Sequence, residues 1–74
     1  MVRTLDCLGP GQSATVCSLH FPPQRQQRML DLGFVPGRQV TALMRASLGD
    51  PTAYRVLDSV IALRKSDAMC IGID

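Results

Sequence analysis

Arg28-Met-Leu-Asp-Leu-Gly-Phe-Val-Pro-Gly37, running directly into Arg38-Gln-Val-Thr-Ala-Leu-Met44, decides the fold of this chain. The stretch reads as the end of a short helix, a glycine stop, a Pro-Gly turn and a strand. Gly33 stands where a helix needs a left-handed residue to satisfy its last carbonyls, a conformation that glycine adopts at least cost. Pro36 presets φ for a turn whose next residue, Gly37, takes positive φ. A helix docked on the mouth of a sheet follows, in a chain of 74 residues whose size leaves room for little else.

Working outward, Ala14–Leu19 is β-branched and alternating, and is expected as the first strand. Gly9-Pro10-Gly11 marks a turn before it, and His20-Phe-Pro-Pro23 breaks it, with Pro23 near a helix start where its missing N–H costs nothing. Gln24–Leu32 then predicts a helix of two to three turns. Met29, Leu30 and Leu32 lie on its apolar side, with Arg25, Gln26 and Arg28 opposite; packing must hold a helix this short. Strands follow at Arg38–Ala46, Thr52–Leu57, Val60–Arg64 and Met69–Ile73. They are joined by a Leu48-Gly-Asp-Pro51 turn, a tight Asp58-Ser59 link and one helical turn at Lys65–Ala68. In alternation, Val40, Ala42 and Met44 are expected on one face, and Tyr54 and Val56 on another. Five short strands and one helix between the first and second make a small all-β, five-stranded barrel, one domain over residues 1–74.

Composition narrows the function. Hydrophobic residues make up 46% of the chain, which excludes a disordered polymer. The only aromatics are Phe21, Phe34 and Tyr54, so stacking platforms for single-stranded nucleic acid are absent. A net charge of +2, with basic residues interleaved with Asp31, Asp50, Asp58 and Asp67, gives no nucleic-acid stripe. Local Arg28–Asp31 support is expected on the helix. No signal region is read after Met1, and Cys7, Cys17 and Cys70 form no close pair, so a cytoplasmic protein with reduced thiols is expected. No apolar run reaches the ~20 residues that span a bilayer.

No catalytic constellation is present in the pattern. A Gly-x-x-x-x-Gly-Lys-Ser/Thr phosphate loop is lacking, nothing pairs the carboxylates for acid–base work, and no cofactor is implied. Cys17-x-x-His20 has a ligand-like spacing, with Cys7 as a conceivable third donor, and these are the metal candidates. Two local ligands fall short of a closed four-ligand site, and Cys17 within a strand reads as a small hydrophobe. The partner-docking candidates are Met29, Leu32 and Phe34 around the helix end, together with Leu48, Gly49, Asp50 and Pro51 of the loop. Apolar residues exposed on a loop of a small scaffold tend to be sites.

Four blocks carry a resemblance to a known family: Arg28–Gly37, the loop Arg45-Ala-Ser-Leu-Gly-Asp-Pro51, the strand Val60–Arg64, and the ending Ala68-Met-Cys-Ile-Gly-Ile73. In order and spacing they resemble FeoA-type proteins, small accessory components of bacterial ferrous iron uptake, over roughly Ala14 to Ile73. The resemblance implies an SH3-like barrel and association with the cytoplasmic part of FeoB, a membrane permease with a GTPase domain. Ser47 stands where that family commonly has proline, which loosens the loop. The alternative implied function is a metal-responsive regulatory module, like the SH3-like C-terminal domains of metal-dependent repressors. No helix-turn-helix fits in the chain beside the barrel. A groove for proline-rich ligands needs several exposed aromatics, which Tyr54 alone does not supply.

Overall fold

The turn chemistry appears as the residues dictate. In the computed structural model, which describes residues 3–74, helix α1 (Pro23–Leu32) begins with Pro23 in its first position and ends at Gly33, φ 112°. The Gly33 amide donates to the Leu30 carbonyl and the Phe34 amide to the Met29 carbonyl. This double bond pattern is the Schellman arrangement that absorbs a helix's orphan carbonyls. Three residues later Val35–Arg38 turns through Pro36 and Gly37, whose φ is 92°, and the Arg38 amide closes the turn on the Val35 carbonyl at 3.0 Å.

Among the described residues six strands form one sheet in the order β1-β6-β2-β3-β4-β5, every pair antiparallel. They are β1 (Arg3–Thr4), β2 (Ser13–Leu19), β3 (Gln39–Arg45), β4 (Thr52–Val56), β5 (Ser59–Leu63) and β6 (Ile71–Ile73); a short helix, α2 (Lys65–Ala68), links β5 to β6. The five strands expected from sequence are all present. The addition is β1, which pairs with β6 and leads into a 3-10 turn at Leu5–Cys7. Its two described residues are too few to show a period-2 pattern. The turn's apolar residues matter more: Leu5 and Leu8 are both buried in the core.

The ladder does not close between β1 and β5. Side chains cover that seam: the Tyr54 hydroxyl donates to the Leu5 carbonyl at 3.4 Å, and Arg45 Nη2 to the Leu8 carbonyl at 2.9 Å. The core gathers Val16, Val40, Val56, Ile71 and Ile73 from the strands around Phe34 and Tyr54.

Two bulges redirect side chains from strict alternation. Val16 pairs with Ile73 and Ser18 with Gly72, which leaves Cys17 as an extra residue in β2; Leu43 is likewise extra in β3, between Ala42 and Met44. An inserted residue bends the strand and offsets the alternation beyond it. Met44, expected on one face with Val40 and Ala42, therefore parts from them: they are buried and it lies exposed. Cys17 is exposed too, so its expected role as a small core hydrophobe does not hold.

Candidate partner-docking site

Helix α1 and β5 form the two walls of a groove, with the N-terminal half of the helix near Asp67 of α2 and its end at the β4–β5 turn. The anchor at the first end is an ion pair, Arg25 Nη2 to Asp67 Oδ1, 2.7 Å. At the other end Leu57 sits over Gly33. Between helix and strand runs an open groove of about 660 Å³, walled by Arg25, Arg28, Met29 and Leu32 on one side and Ile61, Ala62 and Leu63 on the other. On the helix Gln27 Nε2 donates to Asp31 Oδ1 at 2.9 Å. The expected Arg28–Asp31 pair is therefore replaced by an amide–carboxylate bond, and among the described residues Arg28 makes no ion pair.

The sequence-derived docking residues are dispersed. Phe34 has no exposed surface, and its ring is core material rather than a docking group; the glycine cap turns it inward on the Schellman geometry. Met29 is 5% exposed and forms groove floor, while Leu32 at 37% presents apolar surface at the groove's end. Leu48 is 95% exposed at the tip of the β3–β4 loop. That loop adjoins Thr52, at the opposite end of β4 from Leu57 and Gly33, so the helix end and the loop tip do not form one strip. Gly49 has φ 90° and donates to the Ala46 carbonyl; Pro51 follows a cis bond, and its carbonyl accepts from the Ala46 amide. Asp50 is structural, its Oδ1 accepting from the Lys65 amide at 2.8 Å and so tying the loop to the start of α2.

The metal candidates do not converge. Among the described residues no three His, Cys, Asp or Glu side chains come together around a common point. His20 Nε2 and Ser18 Oγ lie 3.0 Å apart, and Cys17 Sγ faces the Thr15 carbonyl. All three cysteines are free.

A smaller cleft of about 170 Å³ opens on the seam beside Asp6, Cys7, Arg45, Tyr54 and Lys65. Burial raises the Tyr54 phenol above its ordinary value of 10.0, with the Thr52 hydroxyl and the Arg45 charge opposing the shift. Of the two cations at the cleft, Arg45 is committed to the Leu8 carbonyl.

What sequence pattern missed is β5 as one wall of the groove. The available signal was Ser59-Val-Ile-Ala-Leu63, five residues without a charge or a proline.

Comparison with known proteins fits this architecture. The chain is 33% identical over 67 residues to the Fe(2+) transport protein A/Fe(2+) transporter FeoB fusion protein of Porphyromonas gingivalis; the match takes in 90% of this chain and 8% of that protein. The solution structure of the Chlorobium tepidum FeoA protein superposes with a TM-score of 0.89 at 31% identity, over 96% of this chain and 68% of that one. Stenotrophomonas maltophilia FeoA, crystallised with zinc and described as a prokaryotic SH3-domain protein, gives 0.85 at 32% identity, over 97% and 89%. A manganese-dependent transcriptional repressor shares the fold at TM-score 0.83 with 18% identity, over 97% of this chain and 40% of that one. The barrel is thus SH3-like. With the FeoA domain model matching residues 3–74, the chain belongs to the FeoA family.

Proposed function

We propose that this chain is a non-enzymatic cytoplasmic accessory of ferrous iron uptake, one that binds the cytoplasmic part of a FeoB-type GTPase permease and modulates it. The observation that carries the reading is the Porphyromonas gingivalis relative, where a homologous segment and an Fe(2+) transporter FeoB share one polypeptide. Covalent linkage holds two modules at high effective concentration, an arrangement suited to modules that work against each other. The geometry supports a binding role: the barrel offers an open groove beside α1, while the Arg45 and Asp50 side chains are engaged in structural hydrogen bonds. Such an accessory acts through different affinities for two states of its partner, since equal affinity shifts nothing. The regulatory-module alternative rests on shared fold alone.

The test is affinity capture of the permease from membranes on the immobilised chain, with GTP analogue, with GDP, and without nucleotide. Recovery that depends on nucleotide supports modulation. Recovery in none of the three conditions, with the barrel intact by circular dichroism, refutes the reading.

A further inference from the structure

The β5 edge is built to accept a strand. The link from β4 is the two-residue turn Leu57-Asp58, with Val56 opposite Ser59. Residues flanking such a turn form a hydrogen-bonded pair, and bonded and non-bonded pairs then alternate. Ser59, Ile61 and Leu63 therefore turn their backbone groups toward β4, while Val60 and Ala62 turn theirs to the free edge. Beyond them, the Arg64 carbonyl already accepts from the Asp67 and Ala68 amides.

Proteins ordinarily blunt such edges with charge, proline, bulges or very short strands. The opposite edge carries a charge: its described residues, β1, include Arg3. No such device exists in Ser59–Leu63, whose Val60 is 57% exposed and whose ladder to β4 runs without a register shift. The groove floor of Met29, Leu32 and Ile61 lies beside that edge, with Arg28 on the rim.

We infer that the β5 edge and its groove take up an extended segment of the partner protein, which adds a strand through Val60 and Ala62, sets apolar side chains against Met29, Leu32 and Ile61, and places a carboxylate opposite Arg28. The partner's identity rests on the function proposed above; the chemistry of the segment rests on the edge. Strand addition of this kind draws affinity from main-chain bonds and specificity from alternate side chains. Charge selects the occupant. Arg25 is matched by Asp67 while Arg28, on the groove wall, makes no ion pair among the described residues. An acidic segment complements that unmatched guanidinium; a second copy of this chain pairing edge to edge would instead give protection that grows with protein concentration alone.

Amide hydrogen exchange by NMR on the full chain tests this with two probes: the cytoplasmic part of the permease, and a synthetic peptide about eight residues long alternating valine and threonine with an aspartate at each end. A control peptide carries lysine in place of aspartate. The expected result is at least about tenfold slower exchange at Val60 and Ala62 with the permease fragment and with the acidic peptide, and no protection from the lysine peptide. Ala62→Pro removes an outward donor and should weaken both complexes about tenfold while leaving the β4 ladder intact. Arg28→Glu should reverse the peptide preference to lysine, which keeps the test decisive if the proline variant unfolds.

Permease binding with Val60 and Ala62 still exchanging freely overturns the inference and leaves the proposed function standing. No permease binding, with both amides protected by the acidic peptide, does the reverse. Equal protection by both peptides, protection by neither, or protection that grows with protein concentration alone each overturns the acidic-strand inference.

Discussion

Leu57 lies across Gly33: a methyl group built on Gly33 would stand 3.3 Å from Leu57 Cδ1 and 3.2 Å from Val56 Cγ2. Leu57 itself has φ 56°, an uncommon backbone for a leucine. The β4–β5 turn and the α1 cap thus hold each other, and two unusual backbone conformations sit at one contact.

Gly33→Ala should therefore destabilise by more than Gly37→Ala. Both glycines have positive φ, but a methyl at Gly37 meets nothing within 4 Å. Strain alone sets the Gly37 cost at about 1–2 kcal/mol; Gly33 adds the crowding against Val56 and Leu57. Urea unfolding of the two variants decides it, and equal midpoints would contradict the contact.

Core and surface apolar residues should separate cleanly. Phe34→Ala empties a fully buried site and is expected to cost about 3–5 kcal/mol. Leu48→Asp, at the exposed loop tip, should stay within about 0.5 kcal/mol. Thermal melts of both variants are sufficient, and a large loss at Leu48 would mean that the tip packs on something.

The Arg25–Asp67 pair ties α1 to α2, yet Arg25 remains half exposed, so solvent screening limits its worth. Arg25→Ala should cost no more than about 1 kcal/mol, and the difference from the parent chain should shrink in high salt. A difference that persists in 1 M salt would point to the packing of the arginine stem instead.

Tyr54 gives the barrel an alkaline limit. Its folded pKa is raised, chiefly by burial, so the unfolded chain releases this proton first. The stabilising term is fully present below the ordinary value of 10.0 and is lost as pH climbs from there toward the folded pKa. Tyr54→Phe should flatten that decline. Stability measured between neutral pH and pH above 10 should fall less steeply in the variant; parallel curves would remove Tyr54 as the cause.

The helix, its stop and the turn after it were legible because each depends on local chemistry: Pro23 at the first position, Gly33 at the cap, Pro36-Gly37 in the turn. The main strands were legible from alternation. Met44 and Cys17 were not, since a bulge depends on the partner strand's register, which a single segment does not encode. Leu5 and Leu8 were missed as core because a single 3-10 turn carries no period. Of the candidate site, the helix side was visible in Met29 and Leu32, while Phe34 was misplaced by the same apolar pattern. The other wall, β5, looked like ordinary strand; that its outer flank is open emerges only from the order of the sheet.

The antiparallel pairing of β1 with β6 sets Arg3 beside Ile73. Tension applied between those two points would therefore open the Arg3–Ile73 and Thr4–Gly72 rungs one after another, as a zipper, and never load them together in shear. The barrel is mechanically weak along that line, so if both ends were tethered to moving bodies, β1 would peel away first and bare the Leu5–Leu8 side of the core.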